Sequence, residues 1–135
     1  MTKNSKELLI KEANDMLKNA YVPYSNFPVG AAIISKSGEV FTGCNVENSS
    51  YGLSMCAERN AIFKAVTEGT REFDKLVVTG NTEGPIAPCG ACRQVMSEFC
   101  SSDMPVVLTN VKGDTRETTV GELLPGAFTP EDLKD

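Results

Sequence analysis

Leu8, Leu9, Ala13, Met16, Leu17 and Ala20 recur every three or four positions, which predicts an amphipathic helix from about Ser5 to Ala20. Asn4 and Glu7 stand at capping-box spacing at its start. The pattern then breaks. YVPYSNFP (21–28) carries two prolines in eight residues and reads as a loop. VGAAIIS (29–35) is a continuous apolar run of strand length, KSG (36–38) a turn, and EVFTGCNV (39–46) its hairpin partner. After the loop ENSSYGLSM, a helix is predicted from about Cys56 to Thr67, and KLVVTG (75–80) is a strand. NTEGPIAP forms a loop, a second helix runs from about Cys89 to Cys100, and PVVLTN (105–110) is another strand. KGD (112–114) turns the chain into a short strand near Glu117–Val120, and LLPGAFTPEDL reads as short helical pieces and loop. The order α-β-β-α-β-α-β-β predicts one α/β domain over residues 1–135, a mixed sheet with helices on its faces.

Composition narrows the function classes. The chain has 135 residues, 41% apolar and 23% charged, with a formal net charge of −5. No stretch of Lys and Arg stands out, so binding to a nucleic acid polymer is not expected. The N-terminal stretch lacks the apolar run of a signal peptide or a membrane span, and a reducing cytoplasm is the expected location. Five cysteines there read as thiols or metal ligands rather than disulfides. The chain contains no histidine. That removes Ser-His and Cys-His catalysis and every His-ligated metal site. A general acid or base must be Asp, Glu, Lys, Tyr or Cys, and a zinc site must be built from thiolates, with or without carboxylates.

Two segments then stand together: CAERNAIFKAV from Cys56 and PCGACRQVMSEFC from Pro88. Both place cysteine at the start of a predicted helix, where unpaired N–H groups and the helix dipole favour a thiolate. Cys89 and Cys92 are three apart, on one face, and with Cys56 make three ligands for one ion. A structural zinc normally takes four protein ligands, whereas a catalytic one keeps a position open for water. Glu58 stands two residues after Cys56 as a proton carrier, and Arg59 and Arg93 are placed to offset the charge of three thiolates. Other readings remain at this point. CxxC alone also fits a redox pair, and a closed four-cysteine knot would recruit Cys44 or Cys100, both of which read as buried small residues. Glu58 alone is an ordinary first-turn glutamate, Phe27 a core aromatic, and Asn45 and Glu47 turn residues.

C-x-E followed 33 residues later by P-C-x-x-C is the known signature of zinc-dependent nucleobase and nucleoside deaminases, with three cysteines as one variant. CAER and PCGACRQ, with YVPYSNFPVGAA, GCNVENSSYG and ELLPGAF, resemble the small all-cysteine type of the cytidine/deoxycytidylate deaminase family across nearly the whole chain. The resemblance implies a three-layer α/β/α fold with a five-stranded mixed sheet. It implies one Zn²⁺ per subunit, held by Cys56, Cys89 and Cys92, with Glu58 catalytic. The implied reaction is hydrolytic deamination of cytidine and 2′-deoxycytidine in pyrimidine salvage. Phe27 would pack on the pyrimidine, Asn45 and Glu47 bond the ribose, and the backbone of Ala57 read a base edge. Tyr51 and Phe128 would come from a neighbouring subunit of a homotetramer with shared active sites. The implied partner is a small nucleoside, with no nucleic acid polymer and no membrane. Two other functions compete: deamination of another aminated cytosine compound, such as a nucleoside antibiotic, and a zinc-stapled binding module in which Glu58 is dispensable. NVEN, which resembles the family's sugar-binding segment, opposes the first.

Overall fold

The computed structural model describes residues 5–133. Its elements are α1 (Ser5–Asp15), β1 (Val29–Ser35), β2 (Val40–Cys44), α2 (Ala57–Thr67), β3 (Phe73–Gly80), α3 (Gly90–Phe99), β4 (Pro105–Thr109), β5 (Thr115–Thr119) and α4 (Val120–Leu123). Short 3₁₀ turns follow α1 at Met16–Asn19 and occur at Tyr51–Leu53 and Pro130–Leu133. The five strands form one mixed sheet in the order β2-β1-β3-β4-β5, in which only β3 and β4 run parallel.

Alternation along the strands splits the core into two layers. Ala31, Ile33, Leu76, Val78, Val106 and Leu108 pack with Ala57, Ala61, Ile62 and Ala65 of α2 and with Cys92 and Met96 of α3. Ala32, Ile34, Val77 and Val107 point the other way and meet Leu9 and Ala13 of α1. The result is three layers, α/β/α. Coverage of both faces explains the unbroken apolar run in β1.

Register places several loops at one end of the sheet. Val29, at the start of β1, pairs with Gly80, at the end of β3, and Gly30 pairs with Cys44, at the end of β2. The segments ending at Phe27, starting at Asn45 and leading to Cys89 therefore meet there. Asn110, buried, fixes the loop after β3. Its Nδ2 donates to Thr82 O at 2.9 Å, and its Oδ1 accepts from the N–H groups of Lys112 and Asp114, each at 3.0 Å.

Two boundaries differ from expectation. The first α-helix stops at Asp15, and the chain tightens into the 3₁₀ turn Met16–Asn19; the expected capping residue Asn4 lies outside the described residues. The last strand runs Thr115–Thr119, and Val120 already begins α4, because Thr119 Oγ1 accepts from Glu122 N at 3.2 Å and caps that helix. Among the described residues no helix is long and apolar enough to cross a membrane.

The approach of β2 to α2 leaves no room for a side chain at Gly43. A Cβ there would stand 2.5 Å from Ala57 O and 2.6 Å from Ala61 N, backbone atoms of the first turns of α2. Gly43→Ala is expected to lower stability by about 1–3 kcal/mol, read from the midpoint of a urea titration. Gly84→Ala, with nothing within 4 Å of its Cβ, should change it by less than about 0.5 kcal/mol. Equal midpoints for the two variants would contradict the packing account.

Candidate metal centre

Cys56 and Cys89 are the N-cap residues of α2 and α3, with extended backbone (φ −77, ψ 156 and φ −73, ψ 166). Neither side chain makes a capping bond, so both Sγ atoms are free to face each other. Cys92 lies in the first turn of α3, directly above Cys89. The Sγ atoms are 3.5 Å apart for Cys56 and Cys89 and 3.4 Å for Cys89 and Cys92, and all three lie within 4.8 Å of one another. Thiolates around a tetrahedral zinc at 2.3 Å stand about 3.8 Å apart. The donor set fits one such ion. Cys44 and Cys100 are not part of the group. Cys44 ends β2, and Cys100 is buried at the C-cap of α3, where burial pushes its thiol up to about 12.

The thiols share their protons unequally. The hydrogen bond from Cys92 holds Cys56 as thiolate, lowered to about 5, and Arg59 Nη2, 3.4 Å from its Sγ, works in the same direction. The same contact with Cys56, and burial, raise the Cys92 thiol. Arg59 itself is held charged, first by its bond to Cys56, and its Nε is buried without a hydrogen-bond partner. Glu58, in the first turn of α2, is only 3% exposed. Burial raises its carboxyl to about 7, the charge of Cys56 adds to the rise, and Arg59 opposes it. A carboxyl poised there exchanges protons in both directions near neutral pH.

A cleft of about 190 Å³ opens onto this group, lined by Glu58, Cys56 and Cys89 together with Phe27, Asn45 and Ala57. Ile86 and Ala87, which the sequence did not single out, also line it. Their only signal was position, immediately before Pro88. Asn45 braces the wall: its Oδ1 accepts from Val29 N at 2.9 Å and its Nδ2 donates to Phe27 O at 2.8 Å.

Glu47 and Tyr51 face a different and wider cavity, of about 410 Å³, with Tyr24, Ser25 and Ser54. Glu47 Oε1 accepts from the N–H groups of Tyr24 and Ser25, each at 3.1 Å, and Oε2 accepts from Ser25 Oγ. The Ser25 bond, first among these, holds the Glu47 carboxyl below its usual range. Ser25, also missed in the sequence, accepts in turn from Phe27 N at 3.1 Å. Tyr51 is 75% exposed and meets Tyr24 edge to face at 6.1 Å. Phe128 is 59% exposed on the C-terminal segment and does not line the thiol cleft. Arg93, also expected to offset charge, donates from its guanidinium to the backbone carbonyls of Pro88 and Leu123.

Known proteins resemble this chain in sequence and fold. The cytidine and deoxycytidylate deaminase zinc-binding region matches residues 3–108. The chain is 59% identical to a cytidine deaminase of Sporosarcina psychrophila over 94% of this chain and 93% of that protein. It is 55% identical to one of Halalkalibacterium halodurans, over 96% and 98% respectively. The crystal structure of cytidine deaminase from Burkholderia pseudomallei superposes with a TM-score of 0.90 at 55% identity, covering 95% of this chain and all of that one.

Metal analysis of the purified protein is expected to return about one zinc per chain. Cys56→Ser and Cys92→Ser should lose most of it, while Cys44→Ser and Cys100→Ala keep it. Loss of zinc in Cys44→Ser or Cys100→Ala would reveal a fourth protein ligand and close the open site.

Proposed function

The chain belongs to the cytidine and deoxycytidylate deaminase family, and from that premise we propose that it hydrolyses cytidine and 2′-deoxycytidine to uridine and 2′-deoxyuridine with release of ammonia. The observation that carries this reading is the carboxyl of Glu58, buried at 3% exposure beside three convergent thiols and held near neutrality. When bound at Cys56, Cys89 and Cys92, zinc supplies the Lewis acidity that makes water a nucleophile at neutral pH.

Glu58 accepts the proton that water gives up and passes it to N3 of the pyrimidine, which draws electron density from C4. The oxygen forms its bond to C4, and Glu58 then takes the remaining proton from that oxygen and delivers it to the exocyclic nitrogen. The C4–N bond then breaks, ammonia leaves, and C4 becomes a carbonyl. Phe27, in the cleft wall, offers the ring an apolar face. The N–H of Ala57 is the first in α2 and has no partner within its helix, so it is free to meet an acceptor on the base edge.

Asn45 and Glu47 have capacity left for a sugar. Asn45 Oδ1 accepts one bond and Nδ2 donates one, leaving a lone pair and an N–H. Glu47 accepts three bonds of about four, so Oε2 can still take a hydroxyl donor. Arg59 balances the thiolate charge. Tyr51 and Phe128 stand outside the thiol cleft with large exposed rings, which supports a homotetramer in which a neighbouring subunit supplies them to a shared site. The cytoplasm and pyrimidine salvage are the proposed setting.

Wild-type protein should release ammonia from cytidine with the matching loss of cytidine absorbance. Glu58→Ala is expected to keep its zinc and lose about 10²–10⁴ of the rate. A Glu58→Ala protein of full activity would remove the assigned proton carrier. Arg59→Gln should also keep zinc, turn over more slowly and shift the acidic limb of its pH profile upward by about one unit, because a neighbouring positive charge no longer favours deprotonation. In light scattering the active species should have four times the 14.5 kDa chain mass. A fully active monomer would contradict the shared-site roles of Tyr51 and Phe128.

A further inference from the structure

Arg93 and Gln94 directly follow the second thiol of α3 and take no part in the chemistry above. Arg93 Nε donates to Pro88 O at 3.0 Å, and its Nη1 donates to Leu123 O at 3.0 Å. Gln94 Nε2 donates to Phe128 O at 2.7 Å. The Pro88 carbonyl belongs to the peptide that enters Cys89, so one arm of the guanidinium holds the backbone that aims a thiol. The other arm holds the last residue of α4, and Gln94 holds a point of the segment that follows it.

That segment is not closely packed along its length. Between α3 and residues 120–129 lies a cavity of about 220 Å³, walled by Ser97, Cys100, Val120, Leu124 and Ala127. The two side chains span from α3 to the segment beside this gap. Guanidinium geometry matters here, because a planar fork reaches two carbonyls at once and an ammonium on a flexible stem does not hold both.

We propose that Arg93 and Gln94 are positioning residues that join the metal centre to the C-terminal segment, so that zinc occupancy and the order of residues 123–128 are coupled. The proposal rests on the three-thiolate reading of the metal centre. Coupling of this kind is reciprocal: an ion that fixes Cys89 steadies Arg93 and the carbonyls it grips, and loosening the grip weakens the ion.

The test uses the full-length protein and two readouts that do not involve turnover. Zinc affinity is measured by competition with a chelating dye, and hydrogen exchange is followed over residues 121–129 with and without zinc. Arg93→Lys, which keeps the charge and loses the fork, is expected to bind zinc about tenfold more weakly or worse and to lose zinc-dependent protection in that segment. Gln94→Ala, a change at an exposed side chain, should lose that protection around Phe128 with a smaller effect on affinity. Leu9→Ala, on the far face of the sheet, should lower the melting temperature and leave zinc affinity unchanged. Wild-type affinity and protection in Arg93→Lys would overturn the coupling, as would an equal loss of affinity in Leu9→Ala. A wild-type protein that takes up no zinc overturns the metal-centre reading and the coupling with it.

Discussion

The convergence of two helix N-termini on one face of the sheet governs the rest of the structure, because Cys56 and Cys89 cap those helices with their Sγ atoms 3.5 Å apart. α2 can lie close against the sheet because the residues at that contact are small. α2 supplies Ala57, Ala61 and Ala65, all fully buried, and β2 supplies Gly43, where a Cβ would collide with the α2 backbone. The same convergence aims the unpaired N–H groups and positive dipole ends of both helices at the thiols. Packing and chemistry are thus one requirement.

Charge follows from that geometry. Three thiolates around a divalent cation carry a net negative charge, which acts against the loss of a proton from water. Arg59 reaches Cys56 Sγ at 3.4 Å, and the helix ends add partial positive charge. Glu58 shares the first turn with Ala57 and Arg59, yet its environment differs from theirs. Burial and the Cys56 charge raise its carboxyl to about 7 while Arg59 opposes the rise. Neighbouring residues on one turn are therefore tuned apart, one held charged and the other able to gain or lose a proton.

The strands, the helices α2 and α3 and the trio of cysteines were legible in the sequence because each rests on a local rule: an apolar run of strand length, a proline before a helix, thiols at helix starts. Boundaries set by single side-chain bonds were not legible. Thr119 ends β5 by capping α4, an outcome invisible until its hydroxyl is seen to meet Glu122 N. Arg93 read as a charge beside a metal because sequence shows adjacency and not direction, whereas its guanidinium turns to the carbonyls of Pro88 and Leu123. Ser25, Ile86 and Ala87 escaped notice for the same reason. Their types did not set them apart from other loop residues, and they matter through where register brings their loops together.

The wall of the thiol cleft and the neighbouring cavity that holds Glu47 are tied by one set of bonds. Glu47 anchors Tyr24 and Ser25, Ser25 Oγ receives Phe27 N, and Asn45 holds Phe27 O and Val29 N. Between Ser25 and Phe27, Asn26 sits at φ 56, a left-handed conformation that the surrounding bonds keep in place. The aromatic ring over the cleft is thus positioned by the same carboxylate and carboxamide that have bonding capacity to spare for hydroxyls. Energetic effects at these positions cannot add independently, since removing one group releases the partner it orients. A substitution that loosens Phe27 also moves an acceptor, and one that removes an acceptor also loosens Phe27. The position of Phe27 and the orientation of both acceptors are for that physical reason a single property of the loop, not separate properties of separate residues.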